Sequence, residues 1–465
     1  MTAPLTAQRT GSILGRARGR HAPPHWVNPA LAVGSLVVVV ALWATGPGAA
    51  DASASPANLV TALGRLAGLV SADLLLLQVL LMARIPALER SVGRAALARW
   101  HRVAGFSSFL LLWLHIGAVT SGYSLLVDAN VARQTWDLIT NYPGMLLAVA
   151  AALALTMVAA TSMRVARRAL RYESWHLLHL YAYLGVGLAL PHQIWTGASF
   201  TESPLARVYW LGLYALTAGA VLTYRVGVPV WRTFRHQLTV RTVVRESDDV
   251  VSVHLEGRAL DRLDAQAGQF FLWRFLSGTG WSHAHPYSLS APPGPSSLRL
   301  TAKGDTARLT ALEPGTWVTI EGPYGRLTGR DRTGTMLAMF ACGIGITPVR
   351  ALLEALPYPP GAAVLVYRAR AEADLVFRGE MDALAAVRGI TVHYLVGPRA
   401  EAGPRWLPEG AFAGTDSEAI RHFVPEVGQS DVFVCGPDGW ASAVCAAAEA
   451  AGSPRARIHV ERFAW

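Results

Sequence analysis

Cysteine is nearly absent from this 465-residue chain, which holds only Cys342, Cys435 and Cys445. Three thiols are too few for a four-thiolate iron–sulfur cluster within one chain, and they do not form a disulfide framework. Lysine is scarcer still: Lys303 stands alone, so arginine supplies all but one of the 41 basic residues. Charge of either sign is sparse, at 15% of residues where an ordinary soluble domain has about a quarter. With 52% hydrophobic residues, that scarcity argues against disorder and against a wholly soluble enzyme. The net charge of +10 invites a nucleic-acid reading, so what matters is where the arginines lie. At about 150 residues per domain, the length allows two or three domains.

Long apolar runs are missing from the second half. Stretches near the ~20 residues that cross a bilayer fill the chain to about residue 230 and then stop. They read as six spans, at about 28–46, 58–82, 101–121, 143–163, 174–195 and 204–228. Arginines gather at Arg9, Arg16, Arg18 and Arg20, at Arg84, Arg90, Arg94 and Arg99, and at Arg164, Arg167, Arg168 and Arg171. The intervening loops hold Asp51, Asp128, Arg133, Asp137 and Glu202 instead. The positive-inside rule makes the arginine-rich segments cytoplasmic, which puts both termini and the whole second half on that side. The arginine excess is then a topological signal, and neither a nucleic acid nor an obligatory protein partner is called for. This reading gives a cytoplasmic tail over 1–27 and a membrane domain over 28–228, with the plasma membrane as the expected location. Residues 1–54 also fit a secretory signal ending in Ala52-Ser53-Ala54, whose removal would leave the remaining topology unchanged.

Histidines at membrane depth demand a reason. Span three carries His101 and His115, fourteen residues or about 21 Å apart and on nearly one helical face. Span five carries His176, His179 and His192; the last two are about 20 Å apart, with Pro191 available to correct their phase. Two helices offering imidazole at two depths can hold two metal centres, and neutral imidazole suits the axial positions of haem. Hydrogen bonding across a bundle and a histidine proton relay are the alternatives. Asp73 and Gln78 lie deep in span two without an assigned role.

This arrangement resembles the ferric reductase and NADPH oxidase transmembrane family. The resemblance makes His101, His115, His179 and His192 the ligands of two b-type haems, with an inner haem on His101 and His179 and an outer one on His115 and His192. It prefers His179 to His176. Arg65 would then face an outer-haem propionate, and Arg99 and Arg102 the inner haem.

From about 236 to 330 short β-rich stretches such as QLTVRTVV, VVSVHLE and QFFLWRF are broken by turns, a pattern that suggests an antiparallel barrel. His285-Pro286-Tyr287-Ser288 resembles the Arg-x-Tyr-Ser flavin motif of the ferredoxin reductase superfamily, with histidine in place of the forked arginine charge. That resemblance implies FAD, with Tyr287 packed on the isoalloxazine and Ser288 bonded near its reactive nitrogen. Lys303, Gly304 and Thr306 fit a pyrophosphate-contacting turn. After about 331 strand and helix alternate, the pattern of a parallel sheet. Gly343, Gly345, Thr347 and Pro348 lie between a strand and a helix, where glycines let the backbone approach a pyrophosphate. Cys435-Gly436-Pro437 resembles the second nicotinamide-side motif of the superfamily, with the thiol near the hydride path; a buried strand cysteine is the plainer alternative. Arg368 and Arg370, and later Arg399, stand where an acid would select NAD, and favour NADPH over NADH. The terminal Phe463 and Trp465 resemble the aromatic tail that covers the flavin.

The expected fold is multidomain: a six-helix membrane bundle, an antiparallel β-barrel for FAD over 236–330 and an α/β parallel-sheet domain for NAD(P) over 331–465. The expected function is transfer of electrons from cytoplasmic NAD(P)H through FAD and two haems to an external acceptor. Ferric chelate is favoured and molecular oxygen is the rival; a redox sensor with little turnover and a haem-free anchored flavin reductase remain open.

Overall fold

The computed structural model describes residues 27–50, 52–170, 172–278, 283–399 and 406–463. The expected tail, with Arg9, Arg16, Arg18 and Arg20, lies outside them, as do Arg171 and Trp465. The chain divides into two compact units, Met1–Arg225 and Val226–Trp465.

The first unit is helical. Its long helices are α1 (Val27–Ala44), α2 (Pro56–Met82), α3 (Arg94–Leu126), α4 (Met145–Ser162), α5 (Tyr172–Thr196) and α6 (Pro204–Val221). Among the described residues, four helices are long and apolar enough to cross a membrane: Pro56–Met82, Ala96–Leu126, Met145–Ser162 and Pro204–His236. Two of the six expected spans therefore fall short of that measure. The first has a shorter apolar helix, Pro29–Ala44. The fifth is 25 residues long, but His176, His179, His192 and Gln193 dilute its apolar run. Proposed ligands thus weaken the hydrophobic signal of the helix that carries them.

Within this unit α2 packs along α3 and α4 along α5. Small residues permit the close approach, as is usual for helices in lipid. A Cβ on Gly64 would lie 2.9 Å from that of Ala118, and one on Gly185 would lie 2.9 Å from Leu155 Cγ. Helix α2 starts cleanly because Ser55 caps it, accepting from the Asn58 amide at 3.1 Å, and Pro56 occupies its first turn.

In the second unit α7 (Val228–His236) leads into two three-stranded antiparallel sheets in the orders β1-β2-β5 and β4-β3-β6. The strands are β1 (Thr239–Arg245), β2 (Val250–Glu256), β3 (Phe270–Phe275), β4 (His285–Ser288), β5 (Ser297–Lys303) and β6 (Val318–Tyr324). The expected barrel is thus a pair of sheets around one apolar core, which includes Phe271, Trp273 and Leu300. Isolated bridges at Thr239–Trp317 and Leu289–Leu300 join their edges.

A five-stranded parallel sheet follows, ordered β11-β10-β7-β8-β9. Its strands are β7 (Leu337–Cys342), β8 (Ala363–Ala369), β9 (Ile390–Val396), β10 (Asp431–Pro437) and β11 (Ile458–Phe463). The helices are α8 (Ile346–Ala355), α9 (Arg378–Arg388), α10 (Asp416–Phe423) and α11 (Asp438–Ala450). Apolar clusters cover both faces, as a parallel sheet requires.

Candidate functional site

The four histidines of the expected ligand set each have an oxygen on Nδ1. His101 Nδ1 lies 3.1 Å from the Gln78 carbonyl and His115 Nδ1 lies 2.9 Å from the Gly64 carbonyl. A carbonyl only accepts, so both rings carry their proton on Nδ1 and leave Nε2 as a bare lone pair. His192 Nδ1 is 2.9 Å from Thr196 Oγ1, whose own proton goes to the His192 carbonyl at 2.7 Å. Thr196 is therefore an acceptor too. His179 Nδ1 is 3.2 Å from Ser162 Oγ. A second-shell bond of this kind orients metal-binding histidines and sets their tautomer.

The His101 and His179 rings lie 6.0 Å apart between centroids, with planes at 63°. Two imidazoles bound through Nε2 to one metal, at roughly 2 Å per bond, would have centroids about 6 Å apart. The donor set and its spacing therefore fit one bis-histidine iron. His192 and His115 are electrostatic neighbours at the second level. The backbone is cut away around them. A Cβ on Gly68 would meet His115 Nδ1 at 2.6 Å, and one on Gly144, a left-handed residue with φ +81°, would meet the His192 amide at 2.8 Å. The Trp175 ring lies 5.1 Å from that of His179 and 6.4 Å from that of His176.

Gln78 and Asp73 now have surroundings. Gln78 supplies the carbonyl that holds His101. Asp73 is fully buried and accepts from Ser35 at 2.7 Å and from Tyr209 at 3.2 Å, tying α1, α2 and α6 together. Arg65 donates to the Tyr123 hydroxyl at 2.9 Å, and Arg99 and Arg102 are exposed.

In the second unit one cleft brings distant motifs together. Pro286, Tyr287, Ser288 and Lys303 line it alongside Ile344 and Thr347. The Trp273 indole, wholly buried, donates to the Tyr287 carbonyl at 2.8 Å and so fixes the motif strand. The Tyr287 hydroxyl donates to Asp305 at 2.7 Å, and Arg308 reaches the same carboxylate through Nε at 2.9 Å. Burial pushes the Tyr287 phenol up, and the Asp305 carboxylate adds to the effect. Burial and the Arg308 guanidinium lower His285, against the pull of Asp305 3.6 Å away, which disfavours a cation at this position of the motif. Asp305 stood in the sequence only as part of the Lys303-Gly304-Asp305-Thr306 turn, and Arg308 was missed because it belongs to no motif.

Lys303 lies between Asp249 at 3.1 Å and Asp374 at 3.5 Å. The next residue, Gly304, has φ +83°, and Thr306 opens a short helix. On the nucleotide side Gly343 has φ +54°, and Thr347 Oγ1 donates to the Ile344 carbonyl at 3.0 Å. Pro348 is buried in α8. A Cβ on Gly345 would lie 2.2 Å from the Cys435 carbonyl, so this glycine lets the phosphate-type turn pack onto Cys435-Gly436-Pro437. The glycine turn and its abutting strand fit a dinucleotide, which needs close backbone approach.

Cys435 is fully buried, and burial pushes its thiol well above the ordinary range. It packs in the sheet core as a neutral group. Burial also holds Cys342 up to about 11. The Arg368 side chain turns inward: only 6% exposed, it donates to the carbonyls of Ala369, Gly397 (2.8 Å) and Pro398 (3.0 Å). It departs from the expected phosphate contact because those carbonyls already use its donors. Arg370 and Arg399 are exposed. Phe463 pairs in register with Pro437 on β11, a strand absent from the sequence reading although Ile458 and Val460 alternate in the right period.

Comparison with known proteins agrees with this division. Residues 67–190 match the ferric reductase like transmembrane component, and residues 339–446 match the oxidoreductase NAD-binding domain. The chain is 32% identical over 243 residues to the ferredoxin reductase component of the 3-ketosteroid-9-alpha-monooxygenase of Mycolicibacterium smegmatis, covering 49% of this chain and 65% of that protein. It thus spans just under two thirds of that relative. It is 32% identical over 191 residues to ferredoxin–NADP reductase B of Sorangium cellulosum, covering 38% and 77% of the two chains. It is also 31% identical over 160 residues to the heme-binding subunit of a protein-methionine-sulfoxide reductase of Polaromonas naphthalenivorans, covering 34% and 65%. The chain belongs to the ferredoxin–NADP reductase family and carries, over residues 67–190, a ferric reductase-like transmembrane component.

Proposed function

We propose that this protein is a transmembrane NAD(P)H-dependent oxidoreductase. Electrons from cytoplasmic NAD(P)H would reach an acceptor across the membrane by way of FAD and two b-type haems. The observation that carries the reading is the set of four intramembrane imidazoles, each with Nδ1 on an oxygen, in one chain with a reductase module. The haem-binding role in the name of the methionine-sulfoxide reductase relative supports it. When bound, FAD supplies the conversion of a two-electron hydride donor into single electrons, which haem can carry.

Each residue then has a task. His101 and His179 hold the inner haem, and His115 and His192 the outer one. Tyr287 and Ser288 seat the flavin, Gly343 and Gly345 admit the nucleotide pyrophosphate, and Arg370 and Arg399 meet the ribose phosphate of NADPH. Six helices cross the plasma membrane with both termini inside, following the arginine asymmetry.

Ferric chelate is the acceptor we favour. The full chain is reconstituted in sealed vesicles with NADPH on the reductase side and ferric chelate on the other, and oxygen is then tried with superoxide dismutase. Chelate reduction without oxygen supports the reading. Superoxide with no ferric turnover would move the protein to the oxygen-reducing class, and NADPH oxidation without b-type absorbance would leave an anchored flavin reductase.

A further inference from the structure

A cluster of two arginines and a glutamate joins the flavin half of the C-terminal unit to its nucleotide half. Arg299 on β5 grips Glu380 on α9 with a fork, Nη1 to Oε1 at 2.9 Å and Nη2 to Oε2 at 3.0 Å. Arg350 on α8 donates through Nε to the same Oε2 at 2.6 Å. Both arginines also reach the Ser290 carbonyl, Arg299 Nη2 at 2.8 Å and Arg350 Nη1 at 2.9 Å. The two arginine side chains are only 10% and 14% exposed, whereas the Glu380 side chain is 37% exposed, so the donors are buried and the carboxylate is partly open to water.

The location gives the cluster its significance. Ser290 lies two residues past Ser288, at most about 7 Å along the chain. Arg350 lies five residues past Gly345, about 7 Å along a helix that opens at the glycine turn. One carboxylate therefore holds together the ends of the two elements that carry the flavin motif and the nucleotide turn. Without it, Arg350 keeps only Glu354, at 2.6 Å from its Nη1, and Arg299 loses its carboxylate partner.

We propose that Glu380 is a positioning residue for hydride transfer: by holding Arg299 and Arg350 on one carboxylate, it sets the distance between flavin ring and nicotinamide. The inference rests on the FAD and NAD(P)H reading above. The cluster makes and breaks no bond itself. The hydride passes with its electron pair from nucleotide to flavin, oxidising the one and reducing the other. Reacting atoms must come within about 3.5 Å, and a displacement of roughly 1 Å costs on the order of a hundredfold in rate.

The test is anaerobic stopped-flow reduction of the purified full chain by NADPH, followed by the bleaching of flavin absorbance. Glu380→Gln keeps the side chain's shape and removes its charge. Its limiting reduction rate should fall by about ten- to a hundredfold. The NADPH concentration at half-saturation should stay within about twofold, with FAD content and unfolding temperature unchanged. The long-wavelength charge-transfer band of the nicotinamide–flavin complex should weaken in parallel. Arg350→Lys, which keeps the charge but loses the guanidinium that reaches Glu380 through Nε and the Ser290 carbonyl through Nη1, should give a smaller loss. An unchanged rate and band in Glu380→Gln would overturn the proposal. So would loss of FAD or of folding, since the cluster would then be holding the fold and not a spacing. If neither NADPH nor NADH bleaches the wild-type flavin, the reading of the module itself fails, and this inference with it.

Discussion

If His115 and His192 hold an outer haem as proposed, Gly68→Ala should remove it and leave the inner one. The added Cβ would stand 2.6 Å from His115 Nδ1, 2.8 Å from its Cγ and 2.9 Å from its Cε1. Carbon contacts relax near 3.5 Å, so the ring must move by roughly 1 Å. That motion is opposed by the bond from Nδ1 to the Gly64 carbonyl, worth about 1 kcal/mol net. Disturbing such a second-shell bond typically costs 10- to 100-fold in affinity for the metal group, and the ring shift adds to it. Helix propensity acts in the opposite direction: alanine is favoured over glycine within a helix by about 1 kcal/mol, so general destabilisation of α2 does not explain a loss. The assay is the haem-to-protein ratio by pyridine haemochrome, expected to fall from two to one, with a redox titration reduced to a single component. Gly117→Ala on α3, where an added Cβ meets nothing within 4 Å, serves as the control and should keep both haems. Two haems with an unchanged reduced spectrum in Gly68→Ala would refute the assignment of His115.

Further expectations concern the second unit. Burial raises the Asp305 carboxyl, but Arg308 and Tyr287 outweigh it and hold the group below its ordinary value near 4. A depressed carboxyl contributes stability above its unfolded pKa and loses it as pH falls through the folded one. The unfolding-temperature gap between wild type and Asp305→Asn should therefore be constant above about pH 5 and close in stronger acid; a gap that widens on acidification would contradict this. Arg370→Ala should lower the NADPH-over-NADH ratio of kcat/KM by about tenfold or more, as one charge-assisted contact allows. Arg368→Ala should instead lower the unfolding temperature and leave that ratio alone, since its donors already serve backbone carbonyls.

Periodicity and chemistry-bearing residue types were legible in the sequence. Apolar runs showed helices α2 and α4 within a few residues, α3 extends well beyond its run at 101–121 at both ends, and the strand–helix alternation after Leu337 placed β7 to β10. What stayed hidden depends on partners distant in the chain. Nothing in the sequence pairs the Gly64 carbonyl with His115 or puts Arg350 on Ser290, because backbone groups carry no residue-type signal. Arg368 illustrates the opposite error. Its place about 25 residues beyond the first glycine suggested a phosphate contact, but it lies within β8 and turns its donors to the carbonyls of Gly397 and Pro398. Cys435 likewise belongs to a motif by spacing while its thiol belongs to the core.

The pairing of α2 with α3 follows one register. His115 meets Gly64, Ser108 accepts from Ser71 at 2.7 Å, and His101 meets Gln78. Each contact is seven residues from the next on both helices, the repeat that keeps a seam facing its partner. The two histidine anchors are thus the ends of one antiparallel seam, and Ser71 pins its middle. Asp73 secures α2 to α1 and α6 through Ser35 and Tyr209. One inserted residue should then separate the two sites. An alanine added between Ala104 and Gly105 of α3 leaves Ser108 and His115 in phase with α2 and turns His101 by about 100° around the helix axis. The His101 side chain then leaves the Gln78 carbonyl while His115 keeps its own, so haem content should fall to one, with the outer component surviving in a redox titration. If both haems survived, His101 would not be a ligand. If the outer component were the one lost, the register read from these contacts would be wrong.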